Sequence, residues 1–223
     1  MNHVLEIDSV VLEFEDRRIL QDVYLKSETG TITGLLGRNG SGKSSLLNII
    51  FGQLNAQYSS VRINKKAIAS KKRIVQGIKY LPQHPFIPSR FSLRNIFHDY
   101  NLDWHRFISI FQEFKSHRDK RIRDFSGGQK RIIEIYAILT TPSKFCLLDE
   151  PFSQIMPLHI ESIKHLIIEE KSKKGIIITD HQYEDIIDIN DHLYFIKDGT
   201  TYPIIDLAQL ENLGYIRHTK FTP

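Results

Sequence analysis

The sequence predicts an α/β protein built on a mainly parallel sheet, and three observations carry that prediction. Short apolar runs at 31–36, 78–81, 145–148 and 176–179 alternate with segments of helical spacing, the pattern of strands joined by crossover helices. A glycine-rich loop, Gly37-Arg38-Asn39-Gly40-Ser41-Gly42-Lys43-Ser44, links the first of these runs to a helix. Each of the four runs also ends in polar residues, where open α/β sheets bind their ligands.

Taken in order, the first thirty residues read as an antiparallel lobe, with strands near Leu5–Val10 and Ile19–Lys26. Thr31–Leu36 reads as a buried strand, and Ser44–Ile50 as a helix closed by Gly52. A weak strand follows at Val61–Ile63, then a stronger one at Ile78–Leu81 that ends in Pro82-Gln83. The pattern changes from His84: prolines come first, then helical stretches near Leu93–Asp99 and Trp104–Phe114. Ser126 opens a helix that runs to about Leu139, with Ile132, Ile133, Tyr136 and Leu139 at helical spacing. Residues 84–139 therefore read as a helical insertion within one domain spanning 1–223. Phe145–Leu148 is the next strand, followed by a helix at Leu158–Lys171 and the strand Ile176–Thr179. A short helix, strands near Leu193–Ile196 and Tyr202–Ile205, and a helix at Leu207–Asn212 complete the pattern.

The 223 residues are 41% hydrophobic and 25% charged, enough for a substantial core. No apolar run reaches the about 18 residues of a membrane span, and Met1–Glu6 lacks the basic and apolar regions of a signal peptide. The single cysteine, Cys146, lies in an apolar run, excludes an internal disulfide and suits a reducing compartment. The net charge of +4 gathers at Lys65-Lys66, Lys71-Lys72-Arg73 and Lys115–Arg123. Those clusters read as solvated faces. None defines a nucleic-acid module, and no nucleic-acid partner is expected.

The loop at 37–44 fits G-x-x-x-x-G-K-[ST], the P-loop pattern. Its glycines let successive N–H groups turn toward phosphate oxygens, and the helix N-terminus adds partial positive charge. Lys43 is expected to reach the β- and γ-phosphates and the Ser44 hydroxyl to ligate Mg²⁺. In Phe145-Cys146-Leu147-Leu148-Asp149 the acidic residue ends a strand and suits Mg²⁺, directly or through water. Glu150 follows, placed to accept a proton from an attacking water. The structural alternative for this acidic pair is a cap on the next helix, with Pro151 as its first residue. Gln83 offers an amide to Mg²⁺ and water. His181 offers a donor to the γ-phosphate or a partner that orients Glu150. A second phosphate grip, Ser126-Gly127-Gly128-Gln129, opens a helix far along the chain.

These residues resemble the ATP-binding cassette (ABC) ATPase family over nearly the whole chain. The P-loop is Gly37–Ser44, the glutamine loop Gln83, the signature Phe125-Ser126-Gly127-Gly128-Gln129, the Walker B strand with its base Phe145–Glu150, and the switch histidine His181. Here ATP and Mg²⁺ are the cofactors that the resemblance implies. ATP-contacting residues would be Phe14 and the loop Gly37, Arg38, Asn39, Gly40, Ser41, Gly42, Lys43, Ser44 and Ser45, with Ser126, Gly127, Gly128 and Gln129 serving a partner's ATP. Metal ligands would be Ser44, Gln83 and Asp149, and the catalytic set Glu150, His181, Gln83 and Lys43. Phe14, in Phe14-Glu15-Asp16-Arg17-Arg18-Ile19-Leu20, matches the family's adenine-stacking aromatic.

The resemblance also implies a head-to-tail homodimer with two ATP molecules between the subunits, each P-loop facing the partner's signature. The expected task is that of a transporter's motor, with the membrane spans in separate permease subunits. Such a chain sits in the cytoplasm, peripheral on the inner face of the cell membrane. The aromatic and proline-rich stretch His84-Pro85-Phe86-Ile87-Pro88-Ser89-Arg90-Phe91 is a candidate docking surface for the permease. The alternative is a soluble ABC ATPase without a transport role, such as the iron–sulfur cluster assembly type. One departure from the family pattern is Met156, which stands where an acidic residue helps the two sites sense each other.

Overall fold

The computed structural model describes residues 2–15, 17–73 and 77–216. Met1, Asp16 of the stretch Phe14–Leu20 and the side chain of Lys71 in a basic cluster lie outside the described residues. The chain opens with β1 (Val4–Phe14) and β2 (Arg17–Glu28), an antiparallel hairpin whose inner face is Leu5, Ile7, Val10, Leu12, Leu20, Val23 and Leu25. Both strands are longer than their alternation predicts. Register shifts between Ile7 and Glu13 interrupt the period of two, and bulges of this kind bend a strand without ending it.

Next come β3 (Ile32–Gly37) and α1 (Lys43–Phe51), then β4 (Tyr58–Ile63) and β5 (Lys66–Ala67). The first sheet has the order β2-β1-β4-β5 and is antiparallel throughout. The second contains β3 together with β6 (Ile78–Leu81), β7 (Phe145–Asp149), β8 (Gly175–Thr179), β9 (His192–Lys197) and β10 (Thr200–Ile204). Its order is β10-β9-β3-β8-β7-β6, parallel except for the edge strand β10. All residues of β3, β7 and β8 are buried, as strands covered on both faces must be. Successive side chains serve two cores. Leu36, Leu148, Ile176 and Ile178 pack toward the helices, whereas Leu35, Leu147 and Ile177 pack toward α1 and the antiparallel sheet.

The segment between β6 and β7 carries α2 (Leu93–Asp99), α3 (Trp104–Ile110) and α4 (Gly127–Thr140). The predicted helix Trp104–Phe114 is corrected here. α3 stops at Ile110, Phe111 leaves helical geometry (φ −120°, ψ 76°), and Gln112–Phe114 forms a 3-10 turn. Spacing suits a helix throughout, but ring packing decides the backbone: Phe107 lies 5.4 Å from Phe111 and 4.9 Å from each of Phe114 and Tyr136. After β7 the chain makes a turn, and α5 (Pro157–Lys171) begins with proline at its first position. Pro151 therefore starts no helix, and the acidic pair Asp149-Glu150 caps none. α6 (Tyr183–Ile187) and α7 (Ala208–Asn212) complete the described chain.

Candidate functional site

The loop between β3 and α1 needs its glycines. A Cβ on Gly37 would lie 2.4 Å from Ile196 Cγ2, and Gly42 at the N-cap of α1 has φ 99°. Lys43 folds back over the loop, its Nζ donating to the carbonyls of Gly37 (2.7 Å) and Arg38 (3.2 Å). Burial pulls the Lys43 pKa down, while the carboxylates of Glu150, Asp149 and Asp180 oppose that shift.

Parallel pairing brings the ends of β6, β7 and β8 to the same edge of the sheet as this loop. Asp149 Oδ1 accepts from the Ser44 hydroxyl at 3.0 Å, and Oδ2 accepts from the Tyr80 hydroxyl at 2.9 Å. Asn48 braces both neighbours, donating to Ser44 O at 2.8 Å and to Tyr80 Oη at 3.2 Å. Burial raises the Asp149 pKa, the hydrogen bonds from Tyr80 and Ser44 oppose it, and Glu150 adds to it. The Tyr80 phenol is held protonated by burial and by the adjacent Asp149.

Glu150 occupies the left-handed region, φ 49°, where side chains are uncommon. Its N–H donates to Thr179 O at 2.7 Å, and its Oε2 accepts from Gln83 Nε2 at 2.8 Å. His181 Nδ1 stands 4.0 Å from that same oxygen and 3.1 Å from Asp180 Oδ1. Asp180 is fully buried and accepts the N–H groups of Phe152 (2.9 Å) and Gln182 (3.1 Å), so it pins the turn after Glu150 to the turn carrying His181. Burial raises its pKa.

One cavity of about 570 Å³ is lined by Phe14, Asn39, Gly40, Gly42 to Ser45, Gln83, Glu150 and His181. Phe14 is half-exposed at its edge, and Asp149 lies beneath, joined through Ser44. The Arg38 side chain turns away from this cavity. Its guanidinium donates to Gly214 O at 2.7 Å, and with Ser41 it lines a neighbouring cavity. Backbone N–H groups, and not this side chain, are what the loop offers at position 38. The Gln83 amide, expected near the metal and the attacking water, donates to Glu150 Oε2.

The second glycine motif is built differently. Ser126 and Gln129 form a reciprocal capping box at the start of α4, with Gln129 N–H to Ser126 Oγ at 3.2 Å and Ser126 N–H to Gln129 Oε1 at 3.1 Å. A Cβ on Gly127 or Gly128 would meet Gln154 at 3.0 or 2.7 Å. Ser126, Gly128 and Gln129 line a separate cavity with Gln154, Met156 and Leu158. In the stretch 84–91, Ile87 is buried and Phe86 and Phe91 pack partly buried against the helical core. The exposed positions there are His84, Pro85, Pro88, Ser89 and Arg90. Phe86 and Phe91 thus each divide between the helical core and the surface.

Sequence reasoning gave no role to Tyr80, Asn48 or Asp180. Tyr80 and Asn48 looked like members of an apolar strand and a helix; pairing of β6 with β7 brings Tyr80 to Asp149, and Asn48 reaches that pair through Tyr80 and Ser44. Asp180 stood beside His181 and carried a signal that proximity alone could have raised.

A family model described as ABC transporter matches residues 20–153. The lipopolysaccharide export system ATP-binding protein LptB of Escherichia coli (strain K12) is 31% identical over 201 residues, covering 83% of each chain. LptB of Acidithiobacillus ferridurans is 28% identical over 213 residues, covering 89% of this chain and 88% of that one. The galactose/methyl galactoside import ATP-binding protein MglA of Fusobacterium nucleatum is 25% identical over 227 residues, with 45% of its length covered. Among solved structures, an ATP-binding subunit of an ABC transporter superposes with a TM-score of 0.80 at 20% identity, covering 95% and 94% of the two chains. A nucleotide-free ATP-binding cassette from an ABC transporter gives 0.79 at 23% identity, with 96% of each covered. With its P-loop, its strand-end carboxylates and this fold, the chain belongs to the ABC transporter family.

Proposed function

We propose that this chain is the ATP-hydrolysing subunit of an ABC membrane transporter, a single cassette domain over 1–223 with a helical subdomain at about 84–139. The observation that carries the reading is the convergence of Ser44, Asp149, Glu150, Gln83 and His181 at one sheet edge, linked by contacts of 3.0, 2.8 and 4.0 Å. ATP would lie along the loop 37–45, its adenine on Phe14. The backbone N–H groups and Lys43 would hold the phosphates.

The donor set fits Mg²⁺. The Ser44 hydroxyl and Asp149 carboxylate are hard oxygen donors already 3.0 Å apart, and this ion is commonly held by one or two protein oxygens plus phosphates and water. Ser44 and Asp149 would hold the ion, with the Gln83 amide beside them. When bound, the ion supplies charge neutralisation at the β- and γ-phosphates. Glu150 would take the proton of the attacking water, His181 would face the γ-phosphate, and Lys43 would stabilise charge on the leaving phosphate oxygens.

The separate cavity at Ser126, Gly128 and Gln129 supports a second role: these residues meet the ATP of a second copy of the chain, giving two equivalent sites by two-fold symmetry. Transport then runs through separate permease subunits, with this chain on the cytoplasmic face of the membrane. The named relatives are transporter subunits, which favours this reading over a free cytosolic ATPase. Their names divide between export and import, so the reading stops at the class of transporter. Light scattering on Glu150→Gln with ATP and Mg²⁺ tests the dimer. A shift from monomer to dimer is expected, and a monomer at saturating ATP would refute it. Purification from native membranes tests the permease, and a chain recovered without any membrane subunit would refute that part.

A further inference from the structure

Arg131 is a buried cation on α4, a few residues after the Ser126–Gln129 motif. Its guanidinium binds no ligand-facing group. It spreads instead over three backbone carbonyls from two different strand ends. One arm donates to Pro82 O at 2.7 Å, and the other donates to Asp149 O at 2.6 Å and Glu150 O at 3.0 Å. Three residues along α4, Glu134 is equally buried and stands 3.6 Å from Arg131. Glu134 Oε1 accepts the N–H groups of Phe86 (2.9 Å) and Ile87 (3.3 Å), in the loop that follows Gln83. Its second oxygen is buried with no hydrogen-bond partner among the described residues.

The Glu150 peptide is the one that needs support. Its φ of 49° lies where non-glycine residues are uncommon, and such backbone persists only where surrounding structure over-determines it. Three interactions do so here: the Glu150 N–H on Thr179 O, the Ser153 N–H on Glu150 O at 3.3 Å, and the Arg131 fork on the carbonyls of Asp149 and Glu150. A planar guanidinium suits this task because one rigid group serves several acceptors at fixed angles, which a lysine ammonium cannot do.

We propose that Arg131 is a positioning residue for Glu150. It holds the left-handed turn that aims the carboxylate, and through Glu134 it ties that turn to the backbone at 86–87. The helix bearing the second glycine motif, the Gln83 loop and the base are thereby joined by one buried ion pair. The proposal rests on Glu150 acting as the general base.

The test compares Arg131→Lys, the double variant Arg131→Met/Glu134→Gln, Glu150→Gln, and Arg131→Lys combined with Glu150→Gln. Steady-state kcat and KM for ATP are measured with thermal unfolding. The double variant leaves no unpaired charge and keeps an acceptor for Phe86 and Ile87, so it carries the test if Arg131→Lys does not fold. Both Arg131 variants are expected to lower kcat by about 10²-fold with KM for ATP unchanged, the scale of a catalytic group displaced by about an ångström. Combined with Glu150→Gln, the lysine variant should add no further loss, because a residue acting through Glu150 has nothing left to act on. Unchanged kcat in a folded Arg131 variant overturns the proposal, as does a loss that multiplies with that of Glu150→Gln. Full activity in Glu150→Gln overturns the base assignment itself, an outcome separate from either.

Discussion

Replacing Glu150 with glutamine isolates the chemistry of the base from everything else that residue does. The backbone of Glu150 is held by Thr179 O, the Ser153 N–H and Arg131, and none of these contacts involves its side chain. Glutamine has nearly the same volume, and its amide oxygen can accept the bond from Gln83 Nε2 that Glu150 Oε2 accepts at 2.8 Å. The P-loop, Lys43 and the Ser44–Asp149 pair are untouched. The variant should therefore fold and bind ATP like the parent while losing only the ability to take a proton. General base catalysis is worth roughly 10²–10⁴ in rate, about 2.7–5.4 kcal/mol of barrier at 1.36 kcal/mol per tenfold. Phosphate release at saturating ATP–Mg²⁺ measures kcat, and equilibrium titration with nucleotide measures affinity. A kcat within threefold of the parent would refute the base assignment. Loss of nucleotide binding would refute the claim that the side chain serves chemistry and not the fold.

Three further outcomes are expected. Asp149 is buried and its pKa lies above the ordinary carboxylate value, so the unfolded chain releases this proton at lower pH than the folded one. Nucleotide-free protein accordingly loses stability as pH rises from about 4 through the folded pKa. Asp149→Asn should raise the melting temperature at about pH 7, with the gain shrinking as pH falls toward about 4, while ATPase activity is lost; an unchanged melting temperature at neutral pH would count against this. Phe14→Ala should raise KM for ATP about tenfold with little change in kcat, since stacking on a base is worth about 1–3 kcal/mol; equal KM values would remove Phe14 from the nucleotide site. Met156 is the N-cap of α5, exposed and without a side-chain cap bond, so Met156→Asp should stabilise the protein by about 1 kcal/mol in urea unfolding.

Much of the fold was legible because local signals agreed. The four apolar runs became β3, β6, β7 and β8 with boundaries shifted by a residue or so, and the loop 37–44 joined strand to helix as its pattern requires. The polar ends of those runs gave Lys43, Ser44, Gln83, Asp149, Glu150 and His181 because parallel strands deliver their carboxyl ends to one edge. Where reading failed, packing had overridden local preference. Phe107, Phe111 and Phe114 are spaced for one continuous helix, yet the chain bends at Phe111 to seat their rings.

The sequence by itself determined the parallel α/β architecture, the phosphate loop and the residue types at the strand ends, because period, glycine placement and charge are local properties that survive any reasonable packing. Only the tertiary structure decided how those residues engage one another. Gln83 stood at a strand end, and the fold brings its amide to the Glu150 carboxylate. Nothing local singles out Arg131 and Glu134 on α4, and the fold buries both against carbonyls and N–H groups from distant segments. Their roles depend on which backbone groups would otherwise lie buried and unpaired. That is a property of strand order and burial, which no window of sequence contains.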